Sequence, residues 1–134
     1  MRIDHVAIWV RDLEAMRTFY QTYFGATAND RYHNSRTGLL TYFLTFGGAA
    51  GEPGCRLELM QRADIPESLT DPIGQATGLT HLALQLGSET AVDGLTERLR
   101  ADGYRVVGEP RRTGDGYYES VVLDPEHNRI ELIA

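Results

Sequence analysis

The sequence predicts an α+β fold made of two tandem β-α-β-β-β modules, residues 1–62 and 79–134, joined by a linker over 63–78 into one domain, 1–134. Three observations predict it. A strand-like run is followed by a helix-period apolar stripe twice along the chain. Each stripe is followed by three further strand-like runs. The same polar residue types, one His and one Glu, recur at matching places in the two halves, His5 with Glu58 and His81 with Glu131. An internal repeat of this kind outweighs any single motif in defining an architecture.

The elements follow in order. Arg2–Val10 is rich in β-branched and aromatic residues, as a strand requires. Asp12 is placed to cap a helix, and Glu14 puts a negative charge in its first turn, where the helix dipole favours it. Leu13, Met16, Phe19 or Tyr20, and Tyr23 or Phe24 form the stripe, which Gly25 stops. Strand-like runs follow at Thr27–His33, Leu39–Phe46 and Arg56–Gln61, with a glycine-rich loop over 47–54. After the linker the order restarts. Leu79–Leu86 reads as a strand, Ser88 as a cap, and Val92, Leu95 and Leu99 as a stripe ended by Gly103. Strands are expected at Tyr104–Val107, Tyr117–Leu123 and Arg129–Ile133, with a hairpin turn over 124–128 before the last.

Composition narrows the function. With 42% hydrophobic and 24% charged residues, the 134-residue chain can bury a core. A net charge of −6 argues against nucleic-acid and anionic-membrane partners, which need a basic surface. No apolar run approaches the roughly 20 residues of a membrane helix. The first residues, MRIDHVAIWVRDLE, lack a signal peptide's cleavage site. The lone Cys55 cannot form an internal disulfide. A cytoplasmic protein acting on a small molecule is expected.

Strand alternation carries the functional reading, because successive side chains point to opposite faces. Val6, Ile8 and Val10 share one face of the first strand, and His5, Ala7 and Trp9 share the other. Leu82, Leu84 and Leu86 similarly oppose His81, Ala83 and Gln85. Leu57 and Leu59 oppose Glu58, and Ile130 and Leu132 oppose Glu131. The aliphatic faces must bury themselves, most simply under each module's own helix. The opposite faces then present one His and one Glu per module, 53 residues apart in the first and 50 in the second. Taken singly, each has a plainer reading: a hydrogen-bonded histidine or a solvent-facing strand glutamate. Together, two imidazoles and two carboxylates suit a borderline divalent metal such as Zn²⁺, Ni²⁺, Co²⁺, Mn²⁺ or Fe²⁺, and two carboxylates neutralise the dication.

These residues, with the Phe19-Tyr20 pair and the Asp124-Pro125…Asn128…Glu131 ending, resemble the vicinal oxygen chelate superfamily over essentially the whole chain. That superfamily contains glyoxalase I, methylmalonyl-CoA epimerase, extradiol dioxygenases and fosfomycin- and bleomycin-resistance proteins. The resemblance implies curved mixed sheets around a metal-binding cleft and a homodimer. It implies one divalent ion per site, with Ni²⁺, Co²⁺ or Zn²⁺ foremost, ligated by His5, Glu58, His81 and Glu131. The set His-Glu-His-Glu is similar to bacterial glyoxalase I. The epimerase has Gln at the second position, and the dioxygenases and fosfomycin enzymes do not ligate there. The implied activity is a glyoxalase I-like lyase or isomerase on a 2-oxoaldehyde thiol adduct or a similar substrate with adjacent oxygens. Proton transfer would pass through an enediolate, with Glu131 as principal base and Glu58 as its counterpart.

Two positions depart from glyoxalase I. Trp9 stands where an arginine is expected and Arg62 where an asparagine is expected, both glutathione contacts in that enzyme. Trp9 could wall an apolar substrate pocket or simply pack. The alternatives are an oxygen-dependent ring-cleaving or antibiotic-modifying enzyme, or a non-catalytic small-molecule binding protein. Arg36, Arg111 and Arg112 are expected in solvated loops, with clamping of an anionic substrate group as the alternative. Glu119 is expected on the surface, with a further cleft carboxylate as the alternative, and Cys55 is expected in inert packing. His33 and His127 are not expected as ligands, and no phosphate-binding glycine loop is present.

Overall fold

The computed structural model describes residues 1–47, 54–67, 74–75 and 77–134, and the chain divides into two compact units, Met1–Ser68 and Leu69–Ala134. Much of the expected loop over 47–54 and linker over 63–78 lies outside the described residues. The architecture is α+β, each unit pairing one helix with one mixed sheet.

The first unit runs β1 (His5–Trp9), α1 (Leu13–Phe24), β2 (Thr27–Ala28), β3 (Tyr32–Asn34), β4 (Leu39–Thr45) and β5 (Arg56–Gln61). Its sheet has the order β1-β5-β4-β2, with β3 also on β4, and β1 is parallel to β5. Asp12 accepts the Ala15 N–H at 2.9 Å, satisfying one of the donors a helix start leaves open. Gly25 ends α1 at φ 62°, a left-handed conformation that glycine adopts without steric cost. Leu13, Met16, Phe19 and Tyr20 face inward from α1, and Leu44, Leu57 and Leu59 bury themselves from the sheet. Each such side chain contributes roughly 1.5–3 kcal/mol by leaving water.

The second unit runs β6 (Leu82–Gln85), α2 (Glu89–Ala101), β7 (Val106–Arg112), β8 (Tyr118–Leu123) and β9 (Arg129–Ile133), with sheet order β6-β9-β8-β7. Ser88 caps α2 through the Ala91 N–H. Val92 and Leu99 are fully buried, as are Val122, Ile130 and Leu132. Thr96, which the stripe did not include, is also buried. Its hydroxyl bonds the Val92 carbonyl and pairs with Ser120, each at 2.7 Å, so a polar pair sits inside this core fully satisfied.

Three elements and one residue differ from expectation. Strand β6 is shorter than the Leu79–Leu86 run, so His81 immediately precedes it. The single run Thr27–His33 is two short strands. Asn29 bonds Phe43 through both backbone and side chain, and one extra residue is accommodated before Tyr32 pairs with Thr41. Strand β7 extends through Gly108 and Pro110, so Arg111 and Arg112 lie on a strand and not in a loop. The strand forms the sheet's edge and its register with β8 shifts twice, which tolerates a proline lacking an N–H. Cys55 is exposed just ahead of β5 and is not packed.

The turn before β9 places the last predicted ligand. Buried Asp124 accepts the N–H groups of Glu126 and Asn128 at 2.9 and 2.8 Å, and the Asn128 side chain at 2.9 Å. His127 takes a φ of 68° in this turn. Pairing of β8 with β9 then sets Glu131 opposite Val121 and buries Ile130 and Leu132 on the helix side. A one-residue slip would exchange the two faces.

Candidate metal centre

In the first unit, parallel pairing sets Ala7 beside Glu58, so His5 and Glu58 are diagonal neighbours on the face away from α1. His5 Nε2 lies 3.7 Å from Glu58 Oε2. The other ring nitrogen, Nδ1, is 2.9 Å from Asp4, which is also ion-paired with Arg56. The bond to His5, followed by that to Arg56, lowers the Asp4 pKa, so Asp4 is an acceptor at neutral pH. Nδ1 therefore carries the proton, and the lone pair of a neutral imidazole is at Nε2, towards Glu58. The Phe43 ring meets His5 edge-on at 5.3 Å, with the Arg56 guanidinium 4.5 Å from the Phe43 centroid.

The second unit repeats the arrangement. Ala83 pairs with Glu131, His81 lies two residues earlier, and His81 Nε2 is 3.4 Å from Glu131 Oε2. Both glutamates are largely covered, at 15% and 17% side-chain exposure, while the histidines remain near 39% and 38%. Burial is the main cause that raises the Glu131 pKa. His81 opposes the shift, and Glu119 adds to it.

The 3.4 Å separation in the second unit matches two ligands of one ion, and the 3.7 Å separation in the first is a few tenths of an ångström longer. Two N or O donors each about 2.1 Å from a metal stand about 3.0 Å apart in cis-octahedral geometry and about 3.4 Å in tetrahedral geometry. An imidazolium–carboxylate hydrogen bond would close to about 2.8 Å. Among the described residues no three His, Cys, Asp or Glu side chains form one metal-holding group, so each unit by itself presents a pair.

Trp9 lies on the His5 face of β1 and is 42% exposed, with the Arg62 guanidinium 5.4 Å from its ring centroid. These two residues are thus brought together. Arg62 also pairs with Asp64. Arg36 sits in a turn, and His33 is exposed on β3. Arg112 pairs with Glu89.

Glu119, expected on the surface, belongs beside the site. It lies on β8 at 13% exposure, pairs with Arg111 at 3.2 Å and is a diagonal neighbour of Glu131 on the same sheet face. Its register position, two residues before Val121 on the Glu131 face, was the signal that could have found it.

Fold and side-chain placement together define a paired-module protein with one imidazole–carboxylate pair on each sheet. The chain belongs to the Glyoxalase/Bleomycin resistance protein/Dioxygenase superfamily, whose family model matches residues 2–132. The uncharacterised protein YqjT of Bacillus subtilis (strain 168) is 31% identical over 139 residues, covering 98% of both chains. A mutant glyoxalase I from Zea mays is similar in structure, with TM-score 0.77 and 25% identity over 98% of this chain, which spans 44% of the maize chain. A glyoxylase/bleomycin resistance protein/dioxygenase domain from Frankia sp. EAN1pec shares the fold, with TM-score 0.78 and 21% identity over 99% and 96% of the two chains.

Proposed function

We propose that this chain is a divalent-metal-dependent lyase or isomerase of glyoxalase I type, with His5, Glu58, His81 and Glu131 as the ligands of one ion. The observation that carries the reading is the repeated His–Glu pair at equivalent register positions, 3.7 Å apart in the first unit and 3.4 Å in the second. Bound there, a Ni²⁺, Co²⁺ or Zn²⁺ ion would polarise a carbonyl through adjacent substrate oxygens and acidify the neighbouring C–H.

The protein's own residues then move the proton. Glu131 is a largely covered carboxylate beside His81, placed to act as the general base. It takes the proton from the hydroxyl-bearing carbon and returns it to the adjacent carbonyl carbon, while the hydroxyl proton passes to the former carbonyl oxygen. Substrate and product are isomers, so no electron acceptor is required. Asp4 holds the His5 ring with Nε2 towards Glu58, the kind of outer contact that fixes a ligating imidazole's tautomer. Trp9 and Arg62 form a side wall of stacked aromatic and cation that contacts the substrate's remaining part. We further propose a homodimeric, cytoplasmic protein. No helix among the described residues is long and apolar enough to cross a membrane.

The test is isomerisation of the methylglyoxal–glutathione hemithioacetal by metal-stripped protein reloaded separately with Ni²⁺, Co²⁺, Zn²⁺ and Mn²⁺. About one ion per chain and turnover abolished by chelation are expected. Glu131→Gln is expected to lower kcat by at least about 100-fold with the fold intact. A chain that binds none of these ions would sink the proposal. Stoichiometric metal without turnover would keep the site and redirect the substrate search to other thiol adducts, hydroxyketones and aromatic diols.

A further inference from the structure

We propose that Glu119, braced by Arg111, is a positioning residue that orients the Glu131 carboxyl. The inference rests on the metal reading above and deepens it. Glu119 and Glu131 are diagonal neighbours on β8 and β9, since Glu119 pairs with Ile133 and Val121 with Glu131. Such diagonals lie within reach of long side chains. Arg111 stands directly opposite Glu119 on β7. The three residues thus form a row across one sheet face, Arg111 to Glu119 to Glu131, which continues to His81.

Three features separate this row from an ordinary surface ion pair. First, Glu119 is covered to 13% exposure while its partner Arg111 is at 55%, so the acid is the sequestered member. In the surface pair of Arg100 with Glu109 the acid is 67% exposed. Second, a second carboxyl beside a covered carboxyl opposes folding through like-charge repulsion, so packing alone gives no reason for it. Third, the first unit shows that the position needs no acid. There Phe43 pairs with Glu58 and Thr41 with Met60, which makes Thr41 the register counterpart of Glu119. Local choices that oppose stability concentrate where a protein works. Contacts that orient a metal ligand are a recognised use of such residues, and losing one lowers metal affinity 10- to 100-fold.

The experiment uses Co²⁺ added to metal-stripped full-length protein, reading affinity by chelator competition and geometry by the visible absorption bands. Glu119→Thr installs the first unit's residue. It is expected to weaken Co²⁺ binding about 10-fold and to shift the bands, with the melting temperature unchanged or raised. Glu119→Gln keeps the side chain's shape and an acceptor carbonyl for Arg111 and turns an N–H towards Glu131, and is expected to stay within about threefold of the parent, with its spectrum. A Glu119→Thr protein that matches the parent in affinity and spectrum overturns the proposal, as does a Glu119→Gln protein that fails as Glu119→Thr does. Glu119→Ser replaces Glu119→Thr if the latter does not fold. A parent that takes up no Co²⁺ refutes the metal reading separately. The contact is then read in the metal-free protein from the carboxyl ¹³C resonance of Glu131 at fixed pH. Glu119→Thr must move that resonance and Glu119→Gln must largely restore it, and an unmoved resonance overturns the inference.

Discussion

Burial lifts the Glu131 carboxyl above the ordinary glutamate range, against the pull of His81 and with help from Glu119. A raised carboxyl pKa means that the folded chain holds a proton where the unfolded chain has lost it. The stabilisation is therefore complete below the unfolded glutamate value and is lost as pH rises through the folded one. Asp4, lowered by His5 and then by Arg56, contributes in the opposite sense, losing its stabilisation as pH falls. The expected outcome, measured by urea unfolding of metal-free protein, is that the parent loses ground to Glu131→Gln as pH climbs above the ordinary glutamate value of about 4.3. A constant difference across that value would contradict the burial account. Under the proposed metal reading, added divalent metal is expected to reverse the trend, because ligation by Glu131 would require it ionised.

At the scale of elements, the two helices and the last turn set where the site residues fall. Asp12 and Ser88 each satisfy an open backbone donor at a helix start, so Asp12→Ala and Ser88→Ala are each expected to lower stability by about 1 kcal/mol. Measured by denaturant midpoint, the two losses are expected to add, because the residues cap different helices in different units. Asp124 matters more. Its buried carboxylate accepts three hydrogen bonds that tie the 124–128 turn, and Asp124→Ala is expected to lower stability by about 3 kcal/mol. Because that turn fixes the β9 register, the same variant is expected to weaken metal binding although it touches no ligand. Unchanged metal affinity would show that strand pairing alone holds Glu131 in place.

For the whole chain, a metal that binds only the folded state raises stability by mass action. At free metal about 100 times its dissociation constant, the gain is about 2.7 kcal/mol. The melting temperature is therefore expected to rise with added Ni²⁺, Co²⁺ or Zn²⁺ and to return to the metal-free value with a chelator. The rise is expected to vanish in the double variant His5→Ala, His81→Ala. A rise that survives both substitutions would place the ion elsewhere. The family relationship bears on the same scale: it establishes the superfamily and the fold, while one fold hosts many reactions, so activity must be argued from the residues.

The sequence by itself determined the repeat, the helix caps at Asp12 and Ser88, strands β5 and β9 to the residue, and which faces carry His5, Glu58, His81 and Glu131. These are local properties: side chains alternate along a strand with period two, and a cap needs only its own first turn. Tertiary structure decided what depends on neighbours distant in sequence. It broke Thr27–His33 around Asn29, because that residue's partner, Phe43, lies on another strand. It carried the edge strand β7 through Pro110 and so placed Arg111 opposite Glu119. It covered Glu119 and set it against Glu131, which no spacing along the chain announces, because diagonal contact arises only once β8 and β9 are in register. Alternation along a strand states which way a side chain points, and only pairing between strands states what it meets.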